Sequence, residues 1–135
     1  MVRSRPSLGL FGIFGRSPKL HQLDQAFRAN DVHPRLVPDA VKLTIISLLE
    51  DHAIGGKPAP QAYSAAAEIV GYCIMGADAF VSEEDPDRLA EIERRIDRAL
   101  EFTSTLDAQL VLLTLHAGVI QPSVVKQFQL ESVGE

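Results

Sequence analysis

The sequence predicts an all-α domain, and three observations support this prediction. In six separate segments, apolar residues recur three or four positions apart, which is the spacing of one face of an α-helix. Proline and glycine separate these segments, and none of them shows the alternating pattern of a half-buried strand. The chain is 46% hydrophobic and 23% charged, as ordinary globular proteins are. We therefore expect one domain built as a bundle of about six helices.

The first two predicted helices have clear boundaries. Ser17 and Pro18 are suited to the cap and first turn of the first helix, and Asn30 is expected to end it in a left-handed turn. The second helix follows Pro38 and stops before Gly55. Their apolar faces consist of Leu20, Leu23 and Phe27 in the first helix and of Val41, Ile45, Leu48 and Leu49 in the second.

The third predicted helix, residues 60–81, is the longest. It is apolar around most of its circumference, with a narrow polar line at Ser64, Glu68 and Asp78. Many of its residues are alanine or glycine, which allow neighbouring helices to approach closely. We expect this helix to lie at the centre of the bundle.

Three further helices complete the prediction. The fourth begins at Asp85 and Pro86, and its apolar residues form one narrow face. Ser104 and Asp107 resemble a capping box, so the fifth helix is expected to run from there to Ala117 inside the bundle. The sixth is short and begins at Pro122. The predicted organisation is thus an N-terminal segment (1–16) docked on the body, a helical domain (17–130) and a frayed tail (131–135).

A short pattern occurs twice and leaves the internal symmetry open. His-Ala, then four other residues, then proline is found at 52–58 and again at 116–122, each time after a helix rich in leucine or isoleucine. A three-helix unit used twice explains this pattern, and so does the general similarity of proline-capped amphipathic helices. A duplication implies a pseudo-twofold architecture and says nothing of function.

Charge and cysteine content restrict the function classes. A net charge of −5 argues against nucleic-acid binding, which requires a concentrated basic surface. The lone cysteine, Cys73, cannot form an internal disulfide, so we expect a cytoplasmic protein. The stretch 62–81 has the length of a membrane span but contains two carboxylates, and Pro6 and three glycines interrupt any signal-like N-terminus. Both features favour a soluble protein.

The N-terminal segment is the most unusual part of the chain. Its apolar residues include Leu10, Phe11 and Phe14, and arginines flank them on both sides. Three fates fit this pattern. The segment folds back over its own domain, enters a groove on another subunit, or attaches residues 1–19 to an anionic membrane. We favour the fold-back, because one short apolar segment rarely anchors a protein stably to a membrane.

The chain contains no recognisable catalytic, phosphate-binding or metal-binding motif, and we expect no cofactor. We therefore predict a protein-interaction module, acting as an adaptor, a regulator or a homo-oligomer. The alternative is a ligand-binding or catalytic bundle with an inter-helix pocket near His116, in which Glu68 and Tyr72 supply further polar groups. Peripheral membrane attachment is the third alternative.

Overall fold

A computed structural model describes residues 18–80 and 85–130 and shows an all-α bundle, which confirms the predicted class. Within these residues there are seven α-helices, two short 3-10 turns and no strand. The helices are α1 (Pro18–Ala29), α2 (Asp39–His52), α3 (Pro60–Met75), α4 (Ala77–Phe80), α5 (Pro86–Glu101), α6 (Leu106–His116) and α7 (Pro122–Phe128), and the 3-10 turns are Pro34–Leu36 and Ile54–Gly56.

Helix α3 lies at the centre of the bundle, as its apolar circumference predicts. It packs most extensively against α1 and α6, and α4, α5 and α2 are in further contact with it. Nine of its sixteen residues are buried, and α6 also contributes to the core. The largest fully buried side chains of the described residues come from most of the long helices and include Tyr72, Phe27, Leu23, Ile45, Leu49, Ile69, Ile92, Ile96, Leu110 and Leu130.

The predicted long helix over residues 60–81 is wrong beyond Met75, because the helix breaks at Gly76. This glycine has φ 85° and ψ 159°, and a separate short helix, α4, begins after it. In a continuous helix Phe80 would lie ~13 Å along the axis from Gly71. The break instead brings the Phe80 ring to within 2.8 Å of the position that a Cβ on Gly71 would occupy. Tertiary packing of Phe80 therefore overrides the local helical pattern.

Two predicted caps are also wrong in detail. The left-handed residue after α1 is Asp31, with φ 61°, whereas Asn30 is buried and donates from its side chain to the carbonyl oxygen of Ala26. Helix α6 is capped by Thr105, whose side chain accepts a hydrogen bond from the Ala108 amide. Ser104 is exposed. Each correction shifts the predicted cap by one residue, which is the usual scatter of helix ends.

The remaining predictions of organisation stay predictions. The N-terminal segment 1–16 and the tail 131–135 lie outside the described residues. The three-helix duplication is likewise neither confirmed nor contradicted by the arrangement of the helices.

Candidate functional site

The most extensive polar cluster of the described residues centres on Arg95. Its guanidinium donates to both carboxylate oxygens of Asp107 at 3.1 and 2.9 Å, to Glu68 at 2.9 Å and to the carbonyl oxygen of Ala65 at 3.0 Å. Burial lowers the pKa of Arg95, but the two carboxylates outweigh it and raise this pKa above its usual value. Arg95 therefore stays charged and ties α5 to α3 and α6.

Arg88 extends the same cluster toward α1 and α4. Its Nε donates to the second carboxylate oxygen of Glu68 at 3.0 Å, and its Nη2 donates to the side-chain oxygen of Asn30. The guanidinium carbon lies 4.9 Å from the centre of the Phe80 ring. Glu68 is thus held by two arginines, which makes it a counter-ion that connects helices.

Tyr72 belongs to a second, smaller cluster. Its ring is buried, and its hydroxyl donates to Glu93 at 3.0 Å, while the side-chain amide of Gln127 donates to the same Glu93 oxygen at 2.9 Å. Burial, reinforced by the hydrogen bond to Glu93, raises the pKa of Tyr72. The phenol therefore remains protonated at neutral pH and joins α3 to α5 and α7.

Two of the three predicted ligand-binding residues share a helix, and the third lies on another. Glu68 and Tyr72 lie one turn apart on α3, whereas His116 is exposed at the last position of α6. No hydrogen bond or ion pair among residues 18–80 and 85–130 joins His116 to either. A pocket built from these three residues stays a prediction.

The remaining reactive side chains are dispersed. Cys73 is buried, and burial raises the pKa of its thiol to about 12, so the thiol is protonated at neutral pH. His33 accepts a hydrogen bond from the Arg35 amide, and His52 lies 2.6 Å from the side-chain oxygen of Gln109. Among the described residues, no group of three histidine, cysteine, aspartate or glutamate side chains is placed to hold a metal ion.

A small cavity of about 130 Å³ lies between α5 and the start of α6. Three arginines line it, but Arg95 is already bound to Asp107 and Glu68, and Arg94 pairs with Glu91. The two carboxylates that line the cavity therefore neutralise most of its positive charge, as ion pairs within the protein do.

One end of the bundle exposes apolar side chains to solvent. Ile54, in the 3-10 turn after α2, is 98% exposed, and Phe102, which follows α5, is 58% exposed. Together with Leu100 they make up three of the five large apolar side chains that are exposed in the described part. Both glycines that follow Ile54 have positive φ, so the turn adopts a backbone that favours glycine.

Two side-chain contacts place these residues at the same end. The hydrogen bond between His52 and Gln109 brings the last residue of α2 to the first half of α6, which directly follows α5. The ion pair between Lys19 and Glu50 brings the start of α1 to the last turn of α2. We call this surface, with Ile54, Leu100 and Phe102, the Ile54 end.

The sequence analysis did not single out the Ile54 end. Its only signal is an isoleucine placed directly before two glycines and outside the apolar stripe of α2, and such a residue could equally be buried under a loop. The predicted interaction residues Leu10, Phe11 and Phe14 lie outside the described residues.

No helix among the described residues has both the length and the hydropathy needed to cross a membrane. The chain has no significant match to a protein-family model, to a curated protein or to a solved structure. The assignment of function therefore depends on the geometry alone.

Proposed function

We propose that this protein is a protein-interaction module whose docking surface is the Ile54 end. The observation that carries the proposal is the 98% exposure of Ile54, on a turn that the bundle holds away from its own core. Complete burial of an isoleucine side chain stabilises a complex by about 1.5–3 kcal/mol, roughly 10- to 150-fold in dissociation constant. Ile54 and Phe102 therefore supply the apolar anchors that central contacts of interfaces require.

The chemistry of the partner follows from the charges around these anchors. Two carboxylates, Asp51 and Glu101, are exposed at the same end, at the last turns of α2 and α5, against the exposed cation Lys57 directly after the Ile54 turn. Exposed carboxylates at the rim of an apolar surface favour an apolar segment that carries basic residues on its flanks. We expect the partner to present such a segment.

Photo-crosslinking in the host cell tests this proposal. A benzophenone amino acid replaces Ile54 in the full chain, and the matched control carries it at Leu43, which is exposed on the first half of α2. We expect position 54, but not position 43, to give covalent adducts with another polypeptide. Mass spectrometry of the linked peptide should show apolar residues with lysine or arginine on both sides.

The proposal fails if position 54 yields no more intermolecular adduct than position 43. It also fails if the linked peptides are acidic or wholly polar, because such partners do not match the surface. Ile54→Asp provides an independent measure. In a chain that carries the benzophenone amino acid at Phe102 instead, this substitution should reduce recovery of the adduct at least tenfold.

A further inference from the structure

We propose that a cleft around Lys42 binds a small organic molecule through a phosphate group of that molecule. The cleft lies where the second half of α1, the 3-10 turn Pro34–Leu36 and the start of α2 meet, and its volume is about 420 Å³. Pockets for small molecules have volumes of roughly 300–1,000 Å³. Ile54 lies beyond the opposite end of α2, so the Lys42 cleft is separate from the proposed docking surface.

The Lys42 ammonium lines this cleft with part of its hydrogen-bonding capacity unused. Its side chain is only 10% exposed, and its Nζ donates to Asp24 at 3.1 Å. The Asp39 carboxylate lies 3.6 Å from the same nitrogen, beyond the usual hydrogen-bond distance. An ammonium has three N–H groups, so two of them have no acceptor at that distance among residues 18–80 and 85–130. A buried donor without an acceptor is costly, and this favours a ligand that supplies oxygen atoms.

Two arginines give the cleft a surplus of positive charge. Arg28, in the last turn of α1, and Arg35, in the 3-10 turn, line it and are exposed. Within the part of the chain that the structure describes, neither guanidinium forms a hydrogen bond or an ion pair. The two carboxylates that line the cleft both pair with Lys42 instead. The cavity between α5 and α6 differs, because two of its three arginines are already paired there.

The donors around the cleft favour a phosphate group over a carboxylate. Nδ1 of His33 accepts a hydrogen bond from the Arg35 amide at 3.1 Å, so the proton of the neutral ring lies on Nε2, which is a further donor. Four side chains thus offer donors to a ligand. A phosphate monoester has three terminal oxygens and about −1.5 to −2 charges at pH 7, and a guanidinium binds it in bidentate fashion. A carboxylate has only two oxygens and one charge.

The rest of the lining is apolar and suits the organic part of the ligand. Pro34, Val37 and Pro38 line the cleft beside the charged side chains, and the first two are buried. The two prolines have a fixed φ, which limits the movement of this wall. The volume of the cleft is also larger than a phosphate ion requires. We therefore expect a phosphate monoester of a small apolar or aromatic group.

NMR titration of the ¹⁵N-labelled full chain with phenyl phosphate tests the inference, in a buffer without phosphate or sulfate. We expect saturable shifts of the amide signals of Arg28, Arg35 and Asp39 and of the amide and side-chain Nζ signals of Lys42. Benzoate, which keeps the ring but replaces the phosphate with a carboxylate, should bind roughly tenfold more weakly. Inorganic phosphate, which lacks the ring, should shift the same signals but bind several-fold more weakly.

Two double variants test which arginines bind the probe. Arg28→Gln combined with Arg35→Gln should weaken the binding of phenyl phosphate by roughly tenfold or more. Both side chains are exposed, so we expect this variant to fold, and far-UV circular dichroism verifies it. Arg94→Gln combined with Arg98→Gln is the matched control, because it removes the same charge from the surface of α5. The control should keep its dissociation constant within about twofold, since distant exposed charges are screened by salt.

Four results overturn the inference. Shifts that do not saturate, or that are as large on α5 as around Lys42, show that the cleft is not a binding site. Equal weakening in the two double variants indicates a general effect of charge. Benzoate that binds as tightly as phenyl phosphate refutes the preference for phosphate, and inorganic phosphate that binds as tightly refutes the organic part of the ligand. None of these results bears on the docking surface, which the crosslinks from position 54 test separately.

Discussion

Replacement of Gly76 by alanine tests the break between α3 and α4. With φ 85° and ψ 159°, this position lies in a backbone region that is open almost only to glycine. A residue with a side chain costs about 1–3 kcal/mol in such a region. An alanine Cβ would also lie 3.3 Å from the Ser123 hydroxyl oxygen, closer than an ordinary contact. We expect the free energy of unfolding to fall by about 1–3 kcal/mol.

The sign of this change separates two structures of the same segment. If residues 60–81 formed one continuous helix, as their periodicity predicts, Gly76 would be an interior helical residue. Glycine in a helix interior is less favourable than alanine by roughly 0.5–1 kcal/mol, so Gly76→Ala would then increase stability. The broken and the continuous helix therefore predict opposite effects of one substitution.

Urea denaturation of the full chain, followed by far-UV circular dichroism, measures the effect. Thermal denaturation gives a second readout. For a domain of this size, each kcal/mol of unfolding free energy that is lost should lower the melting temperature by about 3–5 °C. Gly118→Ala is the control, because Gly118 also has a positive φ but a Cβ there would meet nothing within 4 Å. We expect a loss of about 1 kcal/mol for the control. A Gly76→Ala variant as stable as the wild type, or more stable, would refute the broken helix.

Three other expectations follow from the packing. Arg95→Lys removes a bidentate contact and should lower the free energy of unfolding, measured by urea denaturation, by about 1–2 kcal/mol. Arg94→Lys, in an exposed ion pair, should lower it by less than about 0.5 kcal/mol. Equal losses would contradict the structural role of the Arg95 cluster. Gly71→Ala places a Cβ 2.8 Å from a carbon of Phe80 and should cost about 1–3 kcal/mol, so an unchanged melting temperature in calorimetry would argue against that contact. Burial raises the pKa of the Cys73 thiol from 9.0 to about 12, so the unfolded chain releases this proton at lower pH than the folded chain and stability should fall between pH 9 and 12. At pH 8, a disulfide reagent should modify Cys73 only after denaturation, and rapid modification of the folded chain would contradict its burial.

Local patterns accounted for most of the helices. Pro18, Pro60, Pro86 and Pro122 each stand at the first position of a helix, because a missing amide hydrogen costs nothing there. The apolar spacing that follows each proline marks the buried face, as Ile92 and Ile96 show on α5. These features involve residues within a turn or two of each other, so the sequence is sufficient to predict them.

The predicted site residues show where local patterns fail. Glu68 and Tyr72 have polar side chains on an apolar helix, which is compatible with a ligand site and equally with contacts to other helices. The partners that decide between these interpretations, such as Arg95 and Glu93, are more than twenty residues away in the chain. The positions of these partners depend on how α5 packs on α3, which the apolar periodicity of either helix does not predict.

By itself the sequence determined the helical class, the start of most helices and the central place of α3, since apolar periodicity and capping prolines are patterns of residues close together in the chain. Tertiary structure alone decided three things. The first is the break at Gly76, which accommodates Phe80. The second is the set of arginine contacts to Glu68, and the third is the exposure of Ile54. Each depends on contacts between segments that are distant in the chain. A side chain is buried or left in solvent according to what the rest of the fold places beside it.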